Sequence, residues 1–162
     1  MAGVKMPDPD LTLVDDIRAA SRLMVRELGF MESTLAATDL PPSAVHTILE
    51  IGLRGPLTAM QLGTILHLEK SSISRMVRKL IDSGELQETI DSGDARIKPL
   101  CLTAKGRKTL GTLHAFGRQQ VRGALSSLSK AEQRTVCEGL LLYARALEAW
   151  RAAEQDMQPS EP

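Results

Sequence analysis

Aromatic side chains are nearly missing from this chain, with two Phe, one Tyr and one Trp among 162 residues. The 43% apolar fraction therefore comes mostly from Leu, Ala, Ile, Val and Met. That set favours helices, and a core built from it points to a mainly α fold. Cysteine is scarce too: Cys101 and Cys137 are far apart and lack any CxxC spacing. Two such thiols read as reduced cysteines of a cytoplasmic protein. The N-terminus (MAGVKMPDPD) has no basic start followed by an apolar run, so no signal peptide is expected. No apolar run approaches the roughly 18–20 residues of a membrane span, so no membrane partner is expected.

The parts of a catalytic site are also missing. There is no Gly-rich phosphate loop, no nucleophile elbow and no acid pair at a working spacing. The three histidines fall in three separate predicted elements. His46 and Glu50 sit at i and i+4 of one helical pattern, a spacing that suits metal, but no third ligand lies nearby in sequence. Neither an enzyme, a metal nor a cofactor is expected.

Net charge is absent as well, since 20 basic side chains balance 20 acidic ones. The distribution is uneven, and that is informative. Residues 1–40 carry four basic and seven acidic side chains, and residues 41–69 carry one and two. Residues 70–108 carry nine basic against five acidic, a local excess of four hidden by the neutral total.

What is present is a series of helical patterns around one short β-tolerant region. Residues 1–10 are rich in Pro and Asp and read as disordered. From Leu11 to about Ala37, Leu13, Ile17, Met24, Leu28, Met31 and Leu35 fall at helical spacing, with Gly29 as a bend, and an N-terminal segment 11–40 is assigned on that basis. Pro41-Pro42-Ser43 restarts a helix with Ser43 as its cap and Val45, Ile48, Leu49 and Leu53 as its buried stripe. Gly55-Pro56 ends it, and Leu57 is placed in a single β-bridge. Thr58 and Gln61 then form a capping box for a short helix with Met60, Leu62, Ile65 and Leu66 as apolar members.

After the turn His67–Lys70, a second helix is expected over Ser71–Ser83, stopped by Gly84. Its inward residues are Ile73, Val77, Leu80 and Ile81, while Ser71, Ser74, Arg75, Arg78 and Asp82 lie side by side on the opposite face. Leu86–Ile90 and Lys98–Leu102 read as short strands around the turn Asp91–Arg96. Helix, turn, basic helix and hairpin in this order describe a winged helix-turn-helix over 41–103, a device for reading double-stranded DNA. In that reading Ser71, Ser72, Ser74, Arg75 and Arg78 face the major groove, and Lys79 and Lys98 face phosphates. Thr58 and Gln61 offer helix-start amides to the DNA backbone. Arg96, oriented by Asp94, enters the minor groove at the hairpin tip.

Thr103 caps a helix that runs to about Leu125, with Leu110, Leu113, Phe116 and Val121 among its apolar members. Ser129 and Glu132 form a second capping box. The last helix repeats Val136, Leu140, Tyr143, Leu147 and Trp150 at alternating intervals of four and three, the seam of a helix that pairs along its length. These C-terminal helices occupy 104–153, and 154–162 reads as a disordered tail.

The stretch LTAMQLGTILHLEKSSISRMVRKLIDSGEL, followed by DSGDARIKPLCLTAKG, resembles the MarR family of winged helix-turn-helix transcriptional regulators. The family's wing pattern is met by Asp91, by Asp94-Ala95-Arg96 and by Leu102-Thr103-Ala104-Lys105-Gly106. One departure is Ala95, where the family commonly has a second arginine. The match covers about 50 residues, and the flanking helices are similar in number and length. The resemblance implies a homodimeric repressor whose N- and C-terminal helices form a dimerisation platform and whose two wings meet a pseudo-palindromic operator. It also implies a small aromatic or phenolic effector, near which Met24, His46 and Arg54 are the loosely indicated candidates.

Two other readings stay open in the residues themselves. One is a winged-helix module used for protein–protein contact without DNA, against which the basic helix face and Arg96 argue. The other is an oxidant-sensing regulator acting through Cys101 or Cys137, against which the lack of basic neighbours around either thiol argues.

Overall fold

The structure is a computed structural model that describes residues 8–34, 36, 38–89 and 98–157. Its elements are α1 (Leu11–Glu27), α2 (Pro42–Arg54), α3 (Ala59–Leu66), α4 (Lys70–Asp82), β1 (Leu86–Glu88), β2 (Leu100–Leu102), α5 (Ala104–Leu125) and α6 (Lys130–Met157). They divide into two units, Met1–Gly117 and Arg118–Pro162, with α5 running from one into the other. The fold is mainly α, as the composition predicts. Among the described residues no helix is long and apolar enough to cross a membrane.

In the first unit, α1 is shorter than its periodicity suggests. It ends at Glu27 instead of continuing toward Ala37. Gly29 adopts φ +81°, so it stops the helix rather than bending it. The amide of Gly29 bonds to the Arg26 carbonyl and that of Phe30 to the Val25 carbonyl, the paired bonds by which a left-handed residue closes a helix. Two further helices end in the same way. In α3 the left-handed residue is His67, with Leu68 bonded back to Gly63; in α4 it is Gly84, with Glu85 bonded back to Leu80.

The start of α2 corrects another expectation. Pro41 is its N-cap and Pro42 its first residue, with no side-chain cap, and Ser43 already lies inside the helix. Proline at the first position needs no cap of its own, because it has no amide to satisfy and its φ is already helical. The buried side of α2 is Ala44, Val45, Thr47, Ile48 and Ile51. Leu53, expected in that stripe, is 77% exposed. Thr47 is fully buried because its hydroxyl donates to the Ser43 carbonyl at 2.9 Å, which removes the cost of hiding a polar group.

The capping box at α3 is complete. Thr58 Oγ1 accepts from the Gln61 amide, and Gln61 Oε1 accepts from the Thr58 amide. Of the apolar members of this helix, Met60 is exposed and Leu62 is fully buried. In α4 the buried residues are Ile73, Met76, Val77 and Leu80, while Ile81 is half-buried. The strands span three residues each, shorter than expected, in an antiparallel register of Leu86 with Leu102, Gln87 with Cys101 and Glu88 with Leu100. Leu57 adds the foreseen bridge to Leu100, with backbone bonds of 3.1 and 2.8 Å. One apolar core joins α2, α3, α4 and the sheet, with Leu113 of α5.

The joint between α4, β1 and α5 is tight. Thr103 Oγ1 donates to the Gly84 carbonyl at 2.6 Å and accepts from the Gly106 amide at 3.0 Å, so it caps α5 while holding the end of α4. A Cβ placed on Gly106 would overlap the carbonyl oxygen of Glu85. Glu85 itself is buried. One carboxylate oxygen meets Lys105 Nζ at 3.2 Å, and the other has no partner among the described residues. Lys105 also donates to the Ser83 carbonyl at 2.7 Å.

The second unit contains the end of α5 and α6. Gln133 Nε2 donates to the carbonyls of Leu125 and Leu128, satisfying the end of α5. The foreseen capping box is formed: the Ser129 amide donates to Glu132 at 2.8 Å and the Glu132 amide to Ser129 Oγ. Hydrogen bonds from the Ser129 side chain and amide hold the Glu132 carboxyl below the usual carboxylate range. α6 runs to Met157, past the Ala153 boundary expected from the polar tail.

Gly106→Ala should be strongly destabilising, because the obstacle is a backbone carbonyl that cannot rotate away. A loss of about 3 kcal/mol or more is expected, placing it in the severe tail of point substitutions. Thermal and urea unfolding of the variant against the parent chain measure it; a shift under about 1 kcal/mol would show that the joint can open.

Candidate nucleic-acid interface

α4 is positioned by its own amphipathicity. Ile73, Met76, Val77 and Leu80 anchor one side in the core, which turns the other side outward. Ser71, Ser74, Arg75, Arg78, Lys79 and Asp82 are exposed there, and Ser72 is half-buried. Ser74 Oγ donates to the Lys70 carbonyl at 2.8 Å and Arg75 Nε to the Ser71 carbonyl at 3.3 Å. Among the described residues, no carboxylate pairs with Lys70, Arg75, Arg78 or Lys79. Lys70, the first residue of the helix, is exposed and was not singled out by the sequence pattern, which started the helix one residue later.

The site residues fall into two groups. A groove of about 770 Å³ brings Ser72, Ser74, Arg75, Arg78 and Lys79 of α4 against Asp39, Leu40 and Pro41 before α2. A second groove, of about 530 Å³, brings Thr58 and Gln61 together with Lys98, and adds Met60, Val77 and Glu88. Ser71 lines neither. Asp94 and Arg96 lie outside the described residues.

Two details in the second group differ from a simple phosphate-binding picture. The amides of Thr58 and Gln61 are consumed by the capping box, so the first-turn amides left without an acceptor among the described residues are those of Ala59 and Met60. Lys98 is not free either: its Nζ lies 2.9 Å from Glu88 Oε2 across the sheet. Both side chains are about half exposed or more, so the pair contributes roughly 0–1 kcal/mol. The strand pattern held a signal for this contact, because pairing 86–90 with 98–102 brings residue 88 opposite residue 100.

The other candidate groups have local partners. His46 stacks on Phe30 with ring centroids 5.8 Å apart, and Glu50 accepts from Arg54 Nε at 2.6 Å. No cluster of three ligating side chains occurs among the described residues. Cys101 is half-buried on β2, Cys137 is exposed on α6, and both thiols are free.

Residues 38–97, which contain α2, α3, α4 and β1, match the model of the MarR family. The HTH-type transcriptional regulator BilQ of Clostridium symbiosum is 25% identical over 105 residues, covering 65% of this chain and 73% of that protein. A probable transcriptional regulator from Pseudomonas aeruginosa is 28% identical with a TM-score of 0.54, over 82% of this chain and 93% of that one. Streptococcus pneumoniae FabT, solved in complex with DNA, aligns at TM-score 0.69 and 22% identity over 87% of this chain and 99% of that one. Helix-turn-helix, two-stranded sheet and flanking helices are the same in kind: the chain has the winged helix-turn-helix fold of these structures, and its residues 38–97 are similar to the MarR family.

Proposed function

We propose that this protein is a transcriptional regulator that binds double-stranded DNA in a sequence-specific way. The observation that carries the reading is the outer face of α4, where arginine, lysine and serine stand exposed with no internal carboxylate partner among the described residues. Arg75 and Arg78 are the residues able to pair with guanine edges, Ser71, Ser72 and Ser74 with bases or phosphates, and Lys79 with phosphates. The second groove extends the phosphate contacts through the first turn of α3 and through Lys98. Arg96, with Asp94 two residues before it in sequence, is proposed for the minor groove. The DNA complex of FabT, a protein of the same fold, supports this use of the scaffold.

The proposed active form is a homodimer. Along α6, Val136, Leu140, Tyr143, Leu147 and Trp150 leave between 36% and 59% of their surfaces exposed, which is costly for a lone chain in water. α1 likewise exposes Leu13, Ile17 and Met24, and Leu28 directly after it is exposed as well. A two-fold assembly that covers such stripes sets two recognition helices on a pseudo-palindromic operator about one DNA turn apart. Repression, cytoplasmic location and relief by a small aromatic or phenolic effector follow from the resemblance to MarR regulators. No catalytic role is part of the reading.

Fluorescence anisotropy with a duplex from the gene's own upstream region tests the DNA contacts. Arg75→Ala and Arg78→Ala should each weaken binding roughly 5- to 150-fold where a bidentate base contact is lost. Arg96→Ala should weaken binding and flatten the salt dependence by about one unit. Affinity and slope unchanged in all three variants would leave the fold as a protein-contact module.

For the assembly, Leu140→Glu combined with Leu147→Glu should convert the protein from twice the chain mass to the chain mass in light scattering. A parent chain that is already monomeric at micromolar concentration contradicts the dimer.

A further inference from the structure

We infer that Glu88 sets the affinity of this protein for DNA by occupying Lys98, so that a phosphate must displace an internal carboxylate. The inference rests on the DNA-binding reading and adds to it a residue that opposes binding. Glu88 ends β1 directly opposite Leu100, and Lys98 stands two residues before Leu100 on the returning segment. This register places Glu88 Oε2 within 2.9 Å of Lys98 Nζ. Both residues line the groove that also holds Thr58, Met60 and Gln61 of α3, so the carboxylate lies on the face proposed to meet the DNA backbone.

The pairing distinguishes Lys98 from the other described cations of the interface. Lys70, Arg75, Arg78 and Lys79 have no carboxylate partner among the described residues. The Glu88–Lys98 pair is solvent-exposed, at 47% and 62% of the two side chains, and so it opens readily. Once open, it leaves a negative charge beside the approaching phosphate. A lysine neutralised internally releases no net counterion on binding, whereas a freed lysine adds nearly one unit to the salt dependence. Such a contact is blind to base sequence. Glu88 therefore lowers affinity for every duplex and leaves recognition to the helix face that reads bases.

The test uses the full chain as wild type, Glu88→Gln, Lys98→Gln and the double variant. Binding to a fluorescein-labelled mixed-sequence duplex of about 30 base pairs is followed from about 50 to about 200 mM salt, the range over which phosphate contacts dominate. Matching thermal midpoints establish that all four are equally folded, as exposed substitutions on a short strand should be. Glu88→Gln is expected to bind about 3- to 10-fold more tightly at the lowest salt, with a slope steeper by about one unit. Lys98→Gln alone should bind more weakly than wild type, because it removes the proposed phosphate contact and leaves Glu88 unpaired, and the double variant should show no gain over wild type. An unchanged or weaker Glu88→Gln overturns the inference. So does a gain that survives without Lys98, because it would come from general repulsion. A wild type that binds no duplex at any salt removes the DNA-binding reading itself, an outcome distinct from wild-type binding with no Glu88→Gln gain.

Discussion

The close approach of the Glu85 carbonyl to Gly106, too near for a Cβ, is the constraint on which the joint of α4, β1 and α5 depends. It brings the end of α4, the start of β1 and the first turn of α5 within backbone distance of each other. A Cβ on residue 106 would force them apart, and glycine is the residue that permits the approach. Thr103 then locks the arrangement with one hydroxyl, which donates to α4 and accepts from α5. The helix proposed to read DNA is thus tied at its C-terminal end to the helix that leads out of the domain.

The same joint explains an otherwise costly feature. Glu85 is buried at 4% exposure with one oxygen unpartnered among the described residues, a placement that apolar periodicity never suggests. Its backbone closes α4 through the Leu80 carbonyl and its carboxylate receives Lys105. The Lys105 ammonium also reaches the Ser83 carbonyl, a favourable place for a cation because helix C-termini carry partial negative charge. Local chain geometry fixes where Glu85 sits, and its side chain is accommodated afterward.

Much of this fold was legible because its punctuation is local. The capping boxes at Thr58–Gln61 and Ser129–Glu132, the stop at Gly84, the cap at Thr103 and the bridge at Leu57 each depend on a few neighbouring residues. What escaped is tertiary in origin. Leu53 fits the spacing of a buried stripe but the core lies toward Ile51, and Thr47 is buried because its hydroxyl has a partner that hydrophobicity alone does not reveal. Met76 was missed as a core residue between Ile73 and Leu80. The hydrophobic period continues beyond Gly29 and so suggests a bend, although its left-handed backbone ends the helix. At the candidate interface, charge type and helix face were readable from residues 70–79. The pairing of Lys98 with Glu88 required the strand register.

The place of Leu57 in the sheet has a consequence for how the protein keeps to itself. Exposed strand edges offer unpaired backbone groups to other chains and invite aggregation. Here β2 is paired on one side by β1 and on the other by Leu57 at Leu100, so its backbone is covered where a neighbour would add. Among the described residues, the edge left open is that of β1, three residues long, with Gln87 and Glu88 exposed on it. A short edge bearing a charge is a poor template for further strands. The paired strands therefore offer little for a further strand to add to.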